Sequence, residues 1–245
     1  MKITIIHGSP RKGNTYAATQ VFKEEMSRHG EVEFVDYFMP EDLPEFCKGC
    51  MTCYIYGEDK CPHASYVLPI LEDMVNSDGL IMTTPVFVMR ETAAIKNFLD
   101  HLGYIFIIHR ARPEMFSKKA MVISSTVGAG TKHAIKAVKV SLKYWGVNRI
   151  DSYAFKTFGD DWDVMKADKK SKIISQLNQK AQKFYLEVAS GKRHPPSLFL
   201  RFNYRLFRFI IRKHYAEDSL DAQYWKKMGW YSGKNNPFKR TSSSQ

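Results

Sequence analysis

The chain is expected to fold as an α/β protein on a doubly wound, five-stranded parallel sheet, and three observations carry that expectation. Five short β-branched or apolar runs alternate with amphipathic segments up to about residue 190. Gly, Pro, Ser and Thr collect just after the first, third and fourth of those runs, where a parallel sheet gathers its loops. Most of the excess positive charge lies beyond the alternating region, which sets a C-terminal extension apart.

The elements follow in order. Residues 2–6, Lys-Ile-Thr-Ile-Ile, form a buried first strand, and residues 15–28 a helix with Ala17, Val21, Phe22 and Met26 toward the core. Residues 32–37 alternate as a second strand, and a loop containing proline and cysteine runs from about 40 to 63. A short helix spans 66–76. The third strand, 79–84, ends at Pro85. Residues 91–102 are helical, with Ala94, Ile95, Phe98 and Leu102 on one stripe. The fourth strand is 120–125, followed by the Gly128-Ala129-Gly130 loop and a helix to Trp145. A fifth strand at 149–155 and a long helix at 168–189 complete the alternation. Residues 191–196 read as a linker and 241–245 as a frayed end, so a domain at 1–190 and an extension at 191–245 are expected.

The segment His7-Gly8-Ser9-Pro10-Arg11-Lys12-Gly13-Asn14-Thr15 joins the first strand to the first helix. Glycines and small hydroxyls there leave backbone N–H groups open at a helix N-terminus, which suits a phosphate. Gly8 to Thr15 spells G-x-x-x-x-G-N-T, so Asn14 replaces the lysine that would reach the outer phosphates of a nucleoside triphosphate. No apolar strand ending in Asp offers a magnesium partner, and the dinucleotide pattern G-x-G-x-x-G is absent. A monophosphate remains, held by backbone N–H groups, Ser9, Asn14 and Thr15, with Arg11 as counter-charge. The alternative is an ordinary turn capping a helix. With strand order 2-1-3-4-5, the loops starting at His7, Thr84 and Ser125 converge on one edge of the sheet.

The hydrophobic share, 44%, suits a packed protein rather than a disordered one. No apolar run approaches the ~18 residues of a membrane span, and the chain enters a strand at once with no leader pattern, so a cytoplasmic location is expected. Structural disulfides are disfavoured there. Of the net charge of +12, residues 192–213 carry seven Lys/Arg and no acid, which leaves the body nearly balanced and no nucleic-acid-binding core expected.

With these residues in view, the chain resembles the flavodoxin-like NAD(P)H-dependent FMN reductases, and among them the iron–sulfur flavoproteins. The resemblance covers residues 1 to about 190. It rests on the loop from Gly8 to Thr15, on Cys47-x2-Cys50-x2-Cys53-x7-Cys61, and on Thr84-Pro85-Val86-Phe87 followed by Ala94-Ile95-Lys96-Asn97-Phe98-Leu99-Asp100. It implies that Ser9, Arg11, Gly13, Asn14 and Thr15 hold the FMN phosphate. It also implies that Pro85, Val86, Phe87 and Val88 flank the isoalloxazine, and that Thr126, Gly128 and Gly130 close the far side. Thr84 and Phe87 stand where the family usually has Ser and Tyr, which removes a phenolic hydroxyl. Val88-Met89-Arg90 replaces smaller residues and is expected to narrow the space over the ring.

The four cysteines fall within fifteen residues. Three at C-x2-C-x2-C spacing, with Cys61 as the fourth and a proline after it, can wrap a [4Fe–4S] cluster, each thiolate on a different iron. Zinc more often shows two separated C-x2-C pairs, and a redox dithiol needs only two cysteines. Reduced structural or interface thiols are the alternative.

No catalytic side chain is assigned. His7, His63, His101, His109 and His133 are scattered along the chain and read as capping or surface residues. Hydride from NAD(P)H would pass to bound FMN and on to a quinone, nitro compound, metal or protein acceptor. Two rivals stand beside this reading: an electron carrier fed by a partner such as a ferredoxin, and a redox-sensing binding protein driven by its basic tail. In that tail, residues 197–213 place Arg201, Arg205, Arg208, Arg212 and Lys213 at helical spacing among Phe199, Phe202, Leu206, Phe209 and Ile210. Such a helix can lie on an anionic membrane or bind an acidic partner. It can also pack on its own domain or on a second subunit, since reductases of this fold resemble dimers and Trp225 and Trp230 suit docking.

Overall fold

The structure is a computed structural model and describes residues 1–238; the expected frayed end at 241–245 lies outside the described residues. Strands β1 (Lys2–His7), β2 (Glu33–Phe38), β3 (Gly79–Thr83), β4 (Lys119–Thr126) and β5 (Arg149–Lys156) form one parallel sheet in the order β2-β1-β3-β4-β5. The helices are α1 (Asn14–Arg28), α2 (Thr52–Ile55), α3 (Ala64–Asn76), α4 (Ala93–His101), α5 (Thr131–Tyr144), α6 (Ala167–Ala189), α7 (Leu198–His214) and α8 (Leu220–Lys227).

Alternation along the central strands sorts side chains to two faces. On β3, Ile81 joins Ile3, Ile5, Met121 and Ile123 beneath α1 and α6, where Phe22, Met26, Leu177 and Phe184 are buried. Its neighbours Leu80 and Met82 face the other way, against Val67, Ile70 and Met74 of α3, Phe98 of α4 and Leu142 of α5. Helices cover both faces, so the central strands have no wet side. The buried stripe of α1 is Thr15, Ala18, Thr19, Phe22 and Met26, one residue round from the expected Ala17 and Val21, which are only half-buried. The loop at 40–63 is not bare, since it contains α2 and a 3-10 turn at Glu58–Lys60.

The extension packs onto the body. Leu200, Tyr204 and Ile211 of α7 and Ala222 and Trp225 of α8 join Trp230 in a third apolar cluster with Ile107, Ala111 and Phe116. Helix α8 has no counterpart in the expectations above. At eight residues, capped by Ser219 accepting from Ala222 N–H, it buries Asp221, Ala222 and Trp225. Among the described residues, no helix is long and apolar enough to cross a membrane.

Candidate active site

A cavity of about 350 Å³ opens at the carboxyl ends of the strands, beside the point where the strand order reverses between β1 and β3. The loop after β1 supplies Ser9, Arg11, Gly13, Asn14 and Thr15, and the loop after β3 supplies Pro85, Val86 and Phe87. The end of β4 adds Ser125, Thr126 and Val127. Three expected residues stand elsewhere: Val88, Gly128 and Gly130 do not line the cavity.

The first loop is built by close approach. Gly8 N–H donates to Thr83 O at 2.8 Å. A Cβ on Gly8 would sit 2.6 Å from that same carbonyl and 2.9 Å from Ile95 Cβ, so only glycine fits. Thr92 Oγ1 donates to Gly8 O, which fastens the loop to the start of α4. Helix α1 then begins at Asn14 with Gly13 as N-cap and no side chain capping it, so its first N–H groups face the cavity unclaimed. Asn14 Nδ2 donates to Asp160 O at 3.0 Å, while its buried Oδ1 has no partner. Thr15 Oγ1 and Ser125 Oγ share a hydrogen bond at 2.5 Å, joining the first loop to β4.

The wall after β3 is a tight turn. Phe87 and Arg90 exchange backbone hydrogen bonds at 3.0 Å around Val88 (φ 46°) and Met89 (φ 68°), both in the left-handed region. That turn swings Val88 into solvent, where it is 95% exposed, so it does not narrow the cavity as expected. Gly130, also left-handed at φ 100°, lets the β4–α5 loop lie against this turn; a Cβ there would meet Val86 Cγ1 at 2.6 Å. It shapes the wall from behind. Gly128 is open to solvent and accompanies Thr126, whose hydroxyl accepts from Gly128 N–H at 3.3 Å and donates to Ala129 O at 2.6 Å.

Sequence reasoning missed the fourth loop. Thr157, Gly159 and Asp161, after β5, also line the cavity, and Asp161 Oδ1 lies 3.4 Å from Arg11 Nη2. The parallel pairing of β5 beside β4 is the signal that places this loop on the same edge. His7 is not the surface or capping residue expected. It is buried at the cavity floor, stacked on Phe38 at 4.4 Å, with Nε2 2.7 Å from Asp36 Oδ1. Burial favours a raised pKa for Asp36, but hydrogen bonds from His7 and Lys23 outweigh it and hold the carboxyl below its ordinary value. His63 and His101, expected as capping or surface residues, are buried and share a hydrogen bond at 2.9 Å; His63 stands at the N-cap position of α3, and burial lowers the pKa of His101.

Residues 1–159 match the family of NADPH-dependent FMN reductases. The chain belongs to this family. Some of its relatives carry a cluster in their names. It is 27% identical to an iron-sulfur flavoprotein of Archaeoglobus fulgidus over 94% of this chain and 100% of that one. It is 25% identical to an iron-sulfur flavoprotein of Clostridioides difficile over 86% of this chain and 90% of that one. Among solved structures, an FMN-dependent NADH-azoreductase of Bacillus anthracis in complex with FMN superposes with a TM-score of 0.61 at 12% identity. That superposition covers 76% of this chain and 100% of the azoreductase, which shows a shared fold.

The cysteines lie apart from the cavity, and none lines it. All four are free thiols, Cys47 and Cys50 exposed and Cys53 and Cys61 half-buried. Burial first, then the neighbouring Cys61, Cys47 and Cys50, push the Cys53 thiol up to about 11. Asn97 anchors the segment: its Oδ1 accepts from Cys47 N–H and its Nδ2 donates to Glu45 O, both at 2.9 Å. Among the described residues, no three His, Cys, Asp or Glu side chains are arranged to hold a metal ion. Four thiols are nonetheless the donor set of a [4Fe–4S] cluster, whose corners stand further apart than the ligands of one ion.

Proposed function

We propose that this FMN reductase seats FMN in the cavity at the carboxyl edge of the sheet and passes electrons from NAD(P)H to a small-molecule or protein acceptor. The observation that carries the proposal is the uncapped N-terminus of α1, facing a cavity beside the buried, unpartnered Oδ1 of Asn14. An anionic group seated there would take the open N–H groups and the hydroxyls of Ser9 and Thr15, with Arg11 and Gly13 at its edge. Asn14 would meet a phosphate hydroxyl or a water with its free oxygen. Pro85, Val86 and Phe87 offer an apolar wall for a flat ring, and Thr126 also lines the cavity. Val88, Gly128 and Gly130 shape the loops rather than touch the ligand. When bound, FMN supplies hydride acceptance and electron return singly or in pairs. The chain's part is to hold it, leave one face open and keep the floor dry through His7 and Phe38.

The oxidoreductase unit would span residues 1–190, with 191–245 as an appended helical segment. The exposed Phe87, Met89, Val127 and Phe158 around the mouth favour a homo-oligomer in which a second copy covers it. A second reading is favoured by the cysteine segment: Cys47, Cys50, Cys53 and Cys61 would hold a [4Fe–4S] cluster, and the protein would act as a carrier fed by a partner such as a ferredoxin. Absorbance of anaerobically purified protein, with iron and sulfide assays, tests both cofactors. Rapid mixing with NADPH or NADH should bleach the flavin. Bleaching only through a reduced ferredoxin would favour the carrier, and colourless protein that takes up no FMN would overturn both readings.

A further inference from the structure

Helix α7 is apolar on two opposite sides, and only one of them is used. At 3.6 residues per turn, Leu200, Tyr204, Phe207 and Ile211 share the side that packs on the body. Leu198, Phe202 and Phe209 fall within about 40° of one another on the far side, and they are 84%, 65% and 57% exposed. Arg201, Arg205 and Arg212 run along one flank of this ridge, and Lys213 lies on the other. All four are exposed, and among the described residues none of them forms an ion pair with an acid. Arg205, Arg208, Phe209, Arg212 and Lys213 also wall a shallow cleft.

We propose that α7 is an interfacial helix that seats this protein on an anionic membrane surface, with the ridge of Leu198, Phe202 and Phe209 entering the headgroup layer. Burial of the inner side explains why the segment is a helix, but it does not explain two exposed phenylalanines in a row of cations. A patch meant only for solvent would lack the phenylalanines, and one meant for a hydrophobic partner would be weakened by desolvating four unpaired cations. An anionic bilayer satisfies both halves: phosphates neutralise the flanking cations, and the acyl boundary takes the rings. No acid lies between residues 192 and 213 to oppose the approach. Since no helix among the described residues can span a bilayer, the contact is peripheral and reversible.

The test is co-sedimentation of the full-length protein with vesicles of phosphatidylcholine alone and of an equal mixture with phosphatidylglycerol. The protein should pellet with the mixed vesicles only and be released by salt. The triple variant Arg201→Gln, Arg205→Gln, Arg212→Gln should lower partitioning roughly a hundredfold. The double variant Phe202→Ser, Phe209→Ser should lower it at least about tenfold. Unchanged circular dichroism and thermal midpoint would show that both variants fold. Failure to pellet with either vesicle, or equal pelleting with both, overturns the proposal. So does a change of subunit count in the phenylalanine variant without loss of lipid binding, since the ridge would then be a contact between copies.

Discussion

Arg110 and Asp221 form a buried ion pair, Nη1 to Oδ1 at 2.5 Å, that ties the body of the protein to its C-terminal extension. Both side chains are less than a tenth exposed, and the rest of each is occupied. Arg110 Nη2 donates to Cys53 O and its Nε approaches Glu58 Oε2 at 3.3 Å, while Asp221 Oδ2 is 2.7 Å from His109 Nδ1. The carboxylate on α8 therefore stands two contacts away from the cysteine segment.

Removing one member of such a pair strands the other. Asp221→Ala leaves the Arg110 guanidinium buried without its strongest partner and should cost about 3 kcal/mol. Urea unfolding followed by tryptophan fluorescence reads it directly, since Trp225 and Trp230 are fully buried in the extension's core. A loss below about 1 kcal/mol would mean that the pair behaves as a solvent-screened one and contributes little.

Gly8→Ala should damage both stability and the cavity. The added methyl would meet Thr83 O at 2.6 Å, and backbone cannot yield as a flexible side chain does. A cost of about 2 kcal/mol follows from overpacking a tight contact. The loop would move away from β3, and flavin content of the purified variant should fall with it. Unchanged flavin content at a normal thermal midpoint would contradict the close-packed loop.

The sheet was legible because its signals were local. Ile3, Ile5, Ile81, Met121 and Ile123 sit in short runs bounded by turn residues, and two-sided burial leaves no ambiguity of face. The order 2-1-3-4-5 came from the doubly wound fold class that the alternation implies, not from any single residue. The cavity was half legible. Ser9, Asn14, Thr15 and Phe87 stand in motifs, whereas Asp161 and Thr157 reach the site only because β5 pairs with β4. The orientation of Val88 was not legible, since two successive left-handed residues at Val88-Met89 contradict their own preferences. The face of α7 was ambiguous for another reason: apolar residues occupy two opposite sides of that helix, and only packing shows which side is spent.

The turn that carries Val88 holds strain that a substitution can release. A β-branched residue at φ 46° is costly, and Val88 is 95% exposed with no packing to repay it. Val88→Gly should therefore stabilise the protein by about 1 kcal/mol, read as a rise in the thermal midpoint. Val88→Ala, which stays unfavourable at positive φ, should recover much less. If the two variants match, the turn is relaxed in solution and its geometry is not that of two left-handed residues.

Asp36 sets an acid limit on stability. Its carboxyl is held below the ordinary 3.8 because hydrogen bonds from His7 and Lys23, each at 2.7 Å, outweigh the effect of burial. As pH falls through 3.8, the unfolded chain takes up the proton first, so protonation favours unfolding. The contribution of Asp36 is thus fully present above about pH 5 and is lost as pH drops through its folded value. Partial exposure of the carboxyl limits it to about 1 kcal/mol. Asp36→Asn should unfold more easily than the native chain at pH 7 by about that amount, and the difference should shrink as pH falls below 3.8. Denaturant midpoints across that range measure it. A gap that stays constant with pH would show that the variant lost packing around His7 and Phe38 rather than a charge.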